Sequence, residues 1–284
     1  MYPYINIGSW HIGTFGLLLW LAAVAATYVL HRNFVRHGVD ADALNVVAVV
    51  VVLGILGAKT WHELQSLSEL RSAMRQITAP TWRHPMDILS EFVFWFRAGF
   101  AWFGGMVAGV VMLMIMGRNA RPEGLTGWWA SIRMLDLAAP AAAIGYGVGR
   151  IGCLTSGDGD YGIKTTLPWG VHMAPNALVP TRDLVQPTPI YEFLFSLALA
   201  WILWKLDSRS RSVGWLTGVY LVLSGLGRFL VEFVRINPRL YWGMSNAQVA
   251  ALGSMLVGLI IMAVARKRVP GPVLLEPADT PTAA

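Results

Sequence analysis

Residues 240–265 read LYWGMSNAQVAALGSMLVGLIIMAVA, a run without a charged side chain. A bilayer hydrocarbon core about 30 Å thick is crossed by an α-helix of roughly 20 apolar residues, so this run is long enough to span a membrane. Two more uncharged runs lie at residues 12–30 and 98–117. Because backbone polar groups inside lipid must be paired within their own segment, we expect each run to be a helix.

The composition of the whole chain also indicates a lipid environment. Of its 284 residues, 55% are hydrophobic and only 13% are charged, whereas soluble domains carry about a quarter charged residues. The 13 tryptophans and 8 tyrosines suit the headgroup zone, because their rings have one polar and one apolar end. The net charge of +6 is spread over many short loops, which indicates attraction to anionic headgroups rather than a nucleic-acid-binding patch.

Four shorter apolar runs are interrupted only by isolated charges. With the three uncharged runs they predict an all-α polytopic membrane protein of about seven transmembrane helices, with residues 1–268 forming a single domain. The Pro-rich remainder, residues 269–284, is expected to be a disordered cytoplasmic tail. The predicted spans are residues 10–31, 43–64, 98–117, 134–153, 187–206, 213–234 and 245–266.

The distribution of basic residues predicts that the N-terminus lies outside and the C-terminus inside. Lys and Arg are denser in the segments that would then be cytoplasmic than in the longer outer segments, as the positive-inside rule requires. Two long outer segments follow from this topology, residues 65–97 and 154–186. The first contains MDILSEFVFWF (residues 86–96), an apolar run broken by two carboxylates, and we expect a helix lying along the membrane interface.

Charged residues inside the predicted spans are the main functional signal, because each costs about 2.5–3.5 kcal/mol near the bilayer centre. Arg228 and Glu232 stand four residues apart on one helix face, with Arg235 following. Arg150 and Glu192 lie near the outer ends of their own spans. The predicted topology brings all of these groups to the outer half of the membrane.

Two interpretations of these charges remain open. Arg228 and Glu232 can simply neutralise each other within one helix. Alternatively, three arginines facing one or two carboxylates leave positive charge without an internal partner, and the planar guanidinium binds phosphate well. The second interpretation predicts an anionic phospholipid headgroup as the ligand.

The segment GVGRIGCLTSGDGDYG (residues 147–162) is rich in glycine. Glycine permits positive φ angles and a close approach of the backbone to a ligand. Asp158 and Asp160 add hydrogen-bond acceptors or a general base, so both are candidate catalytic residues. An ordinary turn remains the alternative, because Asp and Gly are common turn residues.

Two further features have both a structural and a functional interpretation. The third span carries small residues on one face, Gly104, Gly105 and Gly109, directly after Phe103. Such a face favours close helix packing but also leaves room for acyl chains. The single cysteine, Cys153, excludes an intrachain disulfide and is expected to be a small buried residue rather than a nucleophile. No metal site and no cofactor are predicted.

Six motifs, taken in order, resemble the prolipoprotein diacylglyceryl transferases. These enzymes of the bacterial inner membrane move diacylglycerol from phosphatidylglycerol to the lipobox cysteine thiol of a prolipoprotein. The motifs are GTFGLLLW (13–20), GILGAK (54–59), FGGMVAG (103–109), LAAPAAAIGYGVGRIG (137–152), QPTPIYE (186–192) and GLGRFLVEFVR (225–235). The resemblance implies a transferase of the bacterial inner (cytoplasmic) membrane with its active site at the outer leaflet. Its partners would be phosphatidylglycerol, or another anionic phospholipid, and the signal-peptide region of a prolipoprotein.

The resemblance also implies roles for individual residues. Arg150 matches the arginine of the family's Gly-Arg-x-Gly-Asn signature, and Gly162 matches the glycine that closes it. Arg228 and Glu232 match the arginine and glutamate of the sixth helix. The two arginines would hold the phosphate while the thiol attacks the glyceryl carbon, so that glycerol phosphate leaves with its charge compensated. The residues expected to contact substrate are Phe103, Gly104, Gly105, Cys153, Gly157, Gly162, Gln186, Tyr191, Glu192 and Arg235.

Several family residues are replaced in this chain. Phe103 stands where the family has a histidine before Gly-Gly, so the usual candidate base is missing. Phe15 replaces a tyrosine of the first helix, and Cys153 replaces the signature asparagine. Asp158 takes the place of the signature glutamate, and Gln186 that of the histidine in the His-Pro turn.

These replacements leave three hypotheses about function. In the first, Asp158, Asp160 or Glu232 replaces the missing base in a divergent transferase that catalyses the same reaction. In the second, the scaffold transfers a lipid group to another acceptor. In the third, it binds or transports phospholipid without catalysis, although a transporter needs a charged path across the membrane and these charges cluster toward one end of their helices.

Overall fold

The computed structural model describes residues 3–8, 10–78, 85–96, 101–207 and 212–268. In this part of the chain, seven helices are long and apolar enough to cross a membrane, which confirms the predicted fold class and helix number. Two further helices, α3 and α4, are too short to cross a membrane. The helices are α1 (Thr14–His37), α2 (Ala43–Gln65), α3 (Leu67–Ile77), α4 (Pro85–Phe96), α5 (Trp102–Ala120), α6 (Gly127–Ser156), α7 (Thr188–Asp207), α8 (Trp215–Val231) and α9 (Asn246–Arg268).

Local chemistry explains where the first two helices begin and end. The first span starts later than predicted, because residues 10–13 form a strand and α1 begins at Thr14. α1 ends at Gly38, whose left-handed φ of 62° lets its N–H bond the last carbonyls of the helix. The Asp42 carboxylate then accepts a 2.9 Å hydrogen bond from the Leu44 N–H and caps the start of α2.

The longest helix, α6, lies at the centre of the bundle. It packs against α1, α5, α7 and α8, and buried Met134 and Leu137 on its surface join the core formed with α1 and α2. Lipid-facing positions of the other spans remain apolar: Trp20 on α1 and Trp201 on α7 are 62% and 64% exposed. The bundle therefore buries its small core around α6 and presents apolar side chains outward.

The helix pair α2 and α5 is in close backbone contact. A Cβ on Gly104 would lie 2.3 Å from the carbonyl oxygen of Gly57, and a Cβ on Gly105 would lie 3.1 Å from that of Gly54. Only glycine permits this approach at Gly104. The small residues of the FGG motif thus act in helix packing, the structural interpretation of that motif.

A buried carboxylate within α6 caps the N-terminus of another span. Asp136 is fully buried and accepts hydrogen bonds from the backbone N–H groups of Gly214 and Thr217, at 2.6 and 2.7 Å. The Thr217 hydroxyl donates a third, at 2.6 Å. This carboxylate therefore satisfies the free N–H groups at the start of α8, where the helix dipole favours negative charge.

The described residues contain three short β-hairpins that the sequence did not predict. They consist of β1 (Tyr4–Ile7) with β2 (Trp10–Gly13), β3 (Val171–Met173) with β4 (Thr181–Val185), and β5 (Arg239–Tyr241) with β6 (Met244–Ser245). Because successive spans run in opposite directions, the connections that hold these hairpins all lie at one end of the bundle. We call this the hairpin end.

The predicted interfacial helix at residues 86–96 corresponds to α4. The Lys59 ammonium at the end of α2 donates a 2.8 Å hydrogen bond to the Trp95 carbonyl and lies 4.3 Å from the centre of the Trp95 ring. Met86 and Phe94 are each 69% exposed, so α4 is attached to α2 but keeps an apolar surface. The predicted cytoplasmic tail, residues 269–284, lies outside the described residues.

Candidate active site

The charged residues of the predicted site come from four parts of the chain that meet at the hairpin end. Arg150 lies in the penultimate turn of α6 and Glu192 in the second turn of α7. Arg228 lies in the last turn of α8. α8 continues into a 3-10 turn, Glu232–Val234, which places Glu232 and then Arg235 beside it.

Six charged side chains form a closed ring in which positive and negative groups alternate. The Arg150 Nε donates to Glu192 Oε2 at 2.7 Å, and its Nη2 makes an ion-pair contact of 2.5 Å with the same oxygen. The other oxygen of Glu192 accepts from Arg228 Nη1 at 2.8 Å. Glu192 therefore joins the two arginines that the sequence singled out. We call the set the charge ring; in order, its members are Arg150, Glu192, Arg228, Glu232, Arg235 and Asp160.

The second half of the charge ring runs through the end of α8. Arg228 Nη2 lies 2.9 Å from Glu232 Oε2, and Arg235 Nε lies 3.6 Å from the same oxygen. Arg235 Nη2 donates to Asp160 Oδ1. Asp160 Oδ2 accepts from Arg150 Nη1 at 2.5 Å, which closes the ring.

The charge ring contains as many carboxylates as arginines, so its formal charge is balanced. The expectation that positive charge would lack an internal partner is therefore wrong. Asp160, from the loop after α6, and Glu192 both enter the ring, and the Arg228–Glu232 pair is one link in it rather than a separate neutral unit. Low exposure makes these contacts stronger than surface ion pairs.

Exposure differs sharply around the charge ring. The side chains of Glu232, Glu192 and Arg235 are 1%, 4% and 7% exposed. Arg228 and Asp160 are 27% and 29% exposed. Arg150, at 13%, lies between these two groups, so the ring is most accessible to a ligand at Arg228 and Asp160.

Three residues that were not predicted as site residues support the acidic members of the charge ring. Two contact carboxylates, and the third contacts a backbone carbonyl. The Tyr146 hydroxyl donates to Glu192 Oε1 at 2.7 Å, and Asn237 Nδ2 donates to Glu232 Oε1 at 2.6 Å. The Thr188 hydroxyl donates to the backbone carbonyl of Asp160 at 2.5 Å. Tyr146 was within reach of sequence reasoning, because it precedes Arg150 by four residues on one helix face.

The two aspartates of the DGD triplet have different environments. Asp158 lies beside the Cys153 thiol, with which it is hydrogen-bonded, and burial raises the pKa of its carboxyl. Burial has the same tendency at Asp160, but the charges of Arg150 and Arg235 outweigh it and lower the pKa of that carboxyl. Asp158 therefore takes up a proton more readily than Asp160.

Two glycines allow the loop after α6 to reach the charge ring. Gly157 ends α6 with a left-handed φ of 63°. Gly162 lies against the end of α8, where a Cβ would stand 2.4 Å from the Val234 carbonyl oxygen and 2.9 Å from Thr188 Cγ2. These close contacts set the loop so that Asp160 reaches Arg235.

Gln186 and Tyr191 border the charge ring without entering it. The Gln186 carbonyl accepts from the Gly162 N–H at 2.8 Å, and its N–H donates to the Ile163 carbonyl at 3.1 Å. The Tyr191 hydroxyl accepts a 2.8 Å hydrogen bond from Trp169 Nε1. Both residues thus position the loop between α6 and α7, and Gln186 does so through its backbone.

The remaining predicted substrate contacts divide between two places. Cys153 lies at the ring, with its Sγ 3.4 Å from Arg150 Nη1. Gly104 and Gly105 face α2, as described above, and the Phe103 side chain is 50% exposed on α5. Among the polar contacts of the charge ring in the described residues, none involves these three α5 residues.

Cys153, Asp158 and Asp160 offer ligand atoms within 4.8 Å of one another. This spacing alone would suit a metal ion. However, Asp160 already contacts two guanidinium groups, whose positive charge opposes a cation at the same place. These contacts disfavour a metal ion between Cys153, Asp158 and Asp160.

Comparison with known proteins gives the chain its family. The family model described as prolipoprotein diacylglyceryl transferase matches residues 3–264. The chain belongs to the prolipoprotein diacylglyceryl transferase family. The resemblance predicted from the six motifs is thereby confirmed, and the family accounts for the seven apolar helices of a multi-pass membrane protein.

Similar curated members of the prolipoprotein diacylglyceryl transferase family cover most of the chain. The phosphatidylglycerol–prolipoprotein diacylglyceryl transferase of Clostridium tetani is 27% identical over 256 residues, which is 89% of this chain and 93% of the relative. Transferase 2 of Clostridium perfringens is 27% identical over 252 residues, 88% and 90% of the two chains. The transferase of Leifsonia xyli is 29% identical over 275 residues, 94% and 77%.

Proposed function

We propose that the chain is a transferase that moves a diacylglyceryl group from phosphatidylglycerol to the lipobox cysteine of a prolipoprotein. The names of its relatives support both substrates. The observation that carries the proposal is the charge ring, in which Glu192 holds Arg150 and Arg228 together at the hairpin end. Two guanidinium groups at one place suit the phosphate of an anionic headgroup.

The chemistry follows from this arrangement. The lipobox thiolate attacks the glyceryl carbon that bears the phosphate, a C–S bond forms, and the C–O bond to the phosphate breaks. Negative charge then grows on the departing glycerol phosphate. The arginines, fixed in advance by buried carboxylates, stabilise that charge without reorganising at the moment of reaction.

We assign the role of proton acceptor for the lipobox thiol to Asp158. Of the three candidates, Asp160 is held by two arginines, and Glu232 is 1% exposed and held by Arg228 and Asn237. Asp158 contacts no guanidinium in the polar contacts of the described residues and already accepts a thiol hydrogen bond, from Cys153. A base with a raised pKa replaces the histidine missing at Phe103.

We place the protein in the bacterial inner (cytoplasmic) membrane, with the N-terminus outside, the C-terminus inside and the charge ring at the periplasmic leaflet. The basic residues of the segments at the opposite end support this topology. The donor lipid would enter from the outer leaflet, and the signal-peptide region of the prolipoprotein would bring its cysteine to the same face.

A second candidate is a family relative that transfers a lipid group to another acceptor, or that binds phospholipid without turnover. The phenylalanine at position 103 favours it, because that residue cannot act as a base. The two candidates differ in a single observable, the formation of a thioether on the lipobox cysteine.

The test uses purified protein in nanodiscs that contain phosphatidylglycerol, with a lipobox peptide as acceptor and mass spectrometry of the product. Wild type should add one diacylglyceryl group to the cysteine, and Arg150→Ala and Arg228→Ala should lose this activity. Arg182→Ala is the matched control, since Arg182 is exposed on β4 at the same end, and it should retain activity. Lipid binding without a thioether product in wild type would contradict the transferase proposal and support the second candidate.

A further inference from the structure

The Asp160 carboxylate makes contacts in the charge ring that a phosphate group of a substrate can also make. Its two carboxylate oxygens are divided between two guanidinium groups, with Oδ2 on Arg150 Nη1 at 2.5 Å and Oδ1 on Arg235 Nη2. The phosphate diester of a phospholipid has the same formal charge of one and two non-bridging oxygens. Such a group can therefore accept from both arginines in place of the aspartate.

Exposure indicates that Asp160 is the carboxylate able to leave. Glu192 is 4% exposed and fixed by the Tyr146 hydroxyl, and Glu232 is 1% exposed and fixed by Asn237. Asp160 is 29% exposed. The Glu192 and Glu232 side chains are thus almost fully buried, whereas the Asp160 side chain is partly exposed.

The loop itself does not need to move for this exchange. The backbone carbonyl of Asp160 accepts from the Thr188 hydroxyl at 2.5 Å and from Arg235 Nη1 at 3.4 Å. Its backbone N–H donates to Asp158 Oδ1 at 3.2 Å. With the backbone held at these points, rotation of the side chain alone frees Arg150 Nη1 and Arg235 Nη2.

We propose that Asp160 is a stand-in for the substrate phosphate: the carboxylate closes the empty site and is displaced when a phosphate diester binds between Arg150 and Arg235. The inference rests on the proposed function for the identity of the lipid, but its anion-binding part stands on the charge ring alone. The charge beside the two guanidinium groups stays balanced, since one negative group takes the place of another. The exchange also adds a direct phosphate contact from Arg235 to those proposed for Arg150 and Arg228.

The experiment measures binding of glycerophosphoglycerol, the deacylated and water-soluble form of the headgroup, to the purified full chain by calorimetry. Asp160→Asn and Asp160→Ala remove the competing charge and should tighten binding at least about tenfold. Asp160→Glu keeps a competing carboxylate and should show no gain. Inorganic phosphate, titrated in parallel, tests whether the charge ring selects a diester. Its affinity should rise less in the Asp160 variants than the affinity of the diester.

Asp183→Asn is the matched control, because it removes the same charge from an exposed side chain on β4 at the hairpin end, whose ion pair is with Lys164. Equal gains in Asp183→Asn and Asp160→Asn would reduce the effect to long-range charge and overturn the inference. So would an unchanged affinity in both Asp160→Asn and Asp160→Ala when these proteins elute and melt like wild type. A larger gain for inorganic phosphate than for the diester would overturn the choice of ligand.

The same proteins are assayed for thioether formation, so that two failures can be told apart. If wild type lacks transfer but Asp160→Asn gains affinity, the transferase proposal fails and the stand-in role remains. If wild type transfers and the Asp160 variants lose turnover with no gain in binding, the stand-in role fails and the transferase proposal remains.

Discussion

Glu192 is the carboxylate on which the geometry of the site depends. One of its oxygens contacts Arg150, and the other accepts from both Arg228 and Tyr146. Its burial at 4% exposure keeps water from competing for these contacts. Arginines on two different helices are thereby held at one place before any substrate arrives.

The sequence predicted the arginines and glutamates of the charge ring better than its one aspartate. Charges within apolar spans such as Arg150, Glu192 and Arg228 need partners, and this requirement alone brings them together. The place of Asp160 depends on the path of a loop, which is set by contacts of Gly162 with residues distant in sequence. The two aspartates looked alike in the DGD triplet, and only their neighbours separate them.

The pH dependence of transfer should report Asp158. A base acts when deprotonated, and the pKa of the Asp158 carboxyl is raised by burial, so activity should fall on the acid side at a higher pH than an ordinary aspartate would give. Profiles of kcat/KM against pH for wild type and Asp158→Glu should keep this acid limb. Asp158→Asn should lower kcat by about 100-fold or more, and the pH profile of its residual activity should lose the acid limb. An unchanged limb in Asp158→Asn would assign the titration to another group.

Helices and loops differ in how well they could be predicted. Long apolar runs specify spans such as α5 and α9 because lipid leaves the backbone no other pairing. The strands β3 and β4 are too short for a periodic pattern to emerge, and their pairing depends on neighbouring segments of the hairpin end. The hairpin end of the molecule was therefore the least predictable part, although α4 was expected from its broken apolar pattern.

Gly162→Ala should separate the loop after α6 from the end of α8. The added Cβ would meet the Val234 backbone carbonyl oxygen at 2.4 Å, with Thr188 Cγ2 at 2.9 Å and Gln186 Cβ at 3.0 Å, so no long flexible side chain can yield. We expect a loss of about 1–3 kcal/mol in the free energy of unfolding, measured by chemical denaturation, and a loss of transfer activity. Gly253→Ala on α9 is the control, because a Cβ there meets nothing within 4 Å; an equal effect of both changes would contradict the role of Gly162.

A second group of buried charges ties the helices together at the opposite end of the bundle. Arg133 on α6 donates to Glu123 at 3.0 and 2.8 Å and contacts Asp207, at the end of α7, at 3.4 Å. His37, at the end of α1, lies 2.8 Å from Asp207 and 3.0 Å from Glu123. The bundle is thus closed by paired charges at both ends, while its middle is held by apolar packing around α6.

Glu123→Gln should destabilise the whole molecule, by about 3–5 kcal/mol, because it leaves Arg133 buried without a full partner. Although burial opposes it, contacts with His37 and Arg133 lower the pKa of the Glu123 carboxyl. Its contribution is therefore complete above the ordinary glutamate pKa of 4.5 and is lost as the pH falls further. The deficit in unfolding free energy should be full at pH 7 and shrink in acid. Glu69→Gln, at a side chain 73% exposed, should change stability little at any pH.

Whether Arg150 and Arg228 act on one phosphate as a unit is tested most directly by a double-mutant cycle on kcat/KM for transfer to a lipobox peptide. We expect each single alanine variant to lose about 100-fold or more, as for a lost charge-assisted contact in a transition state. The double variant should lose no more than about tenfold beyond the worse single variant. Losses that multiply, or a single variant with wild-type activity, would show that the two guanidinium groups act independently and would contradict the shared site.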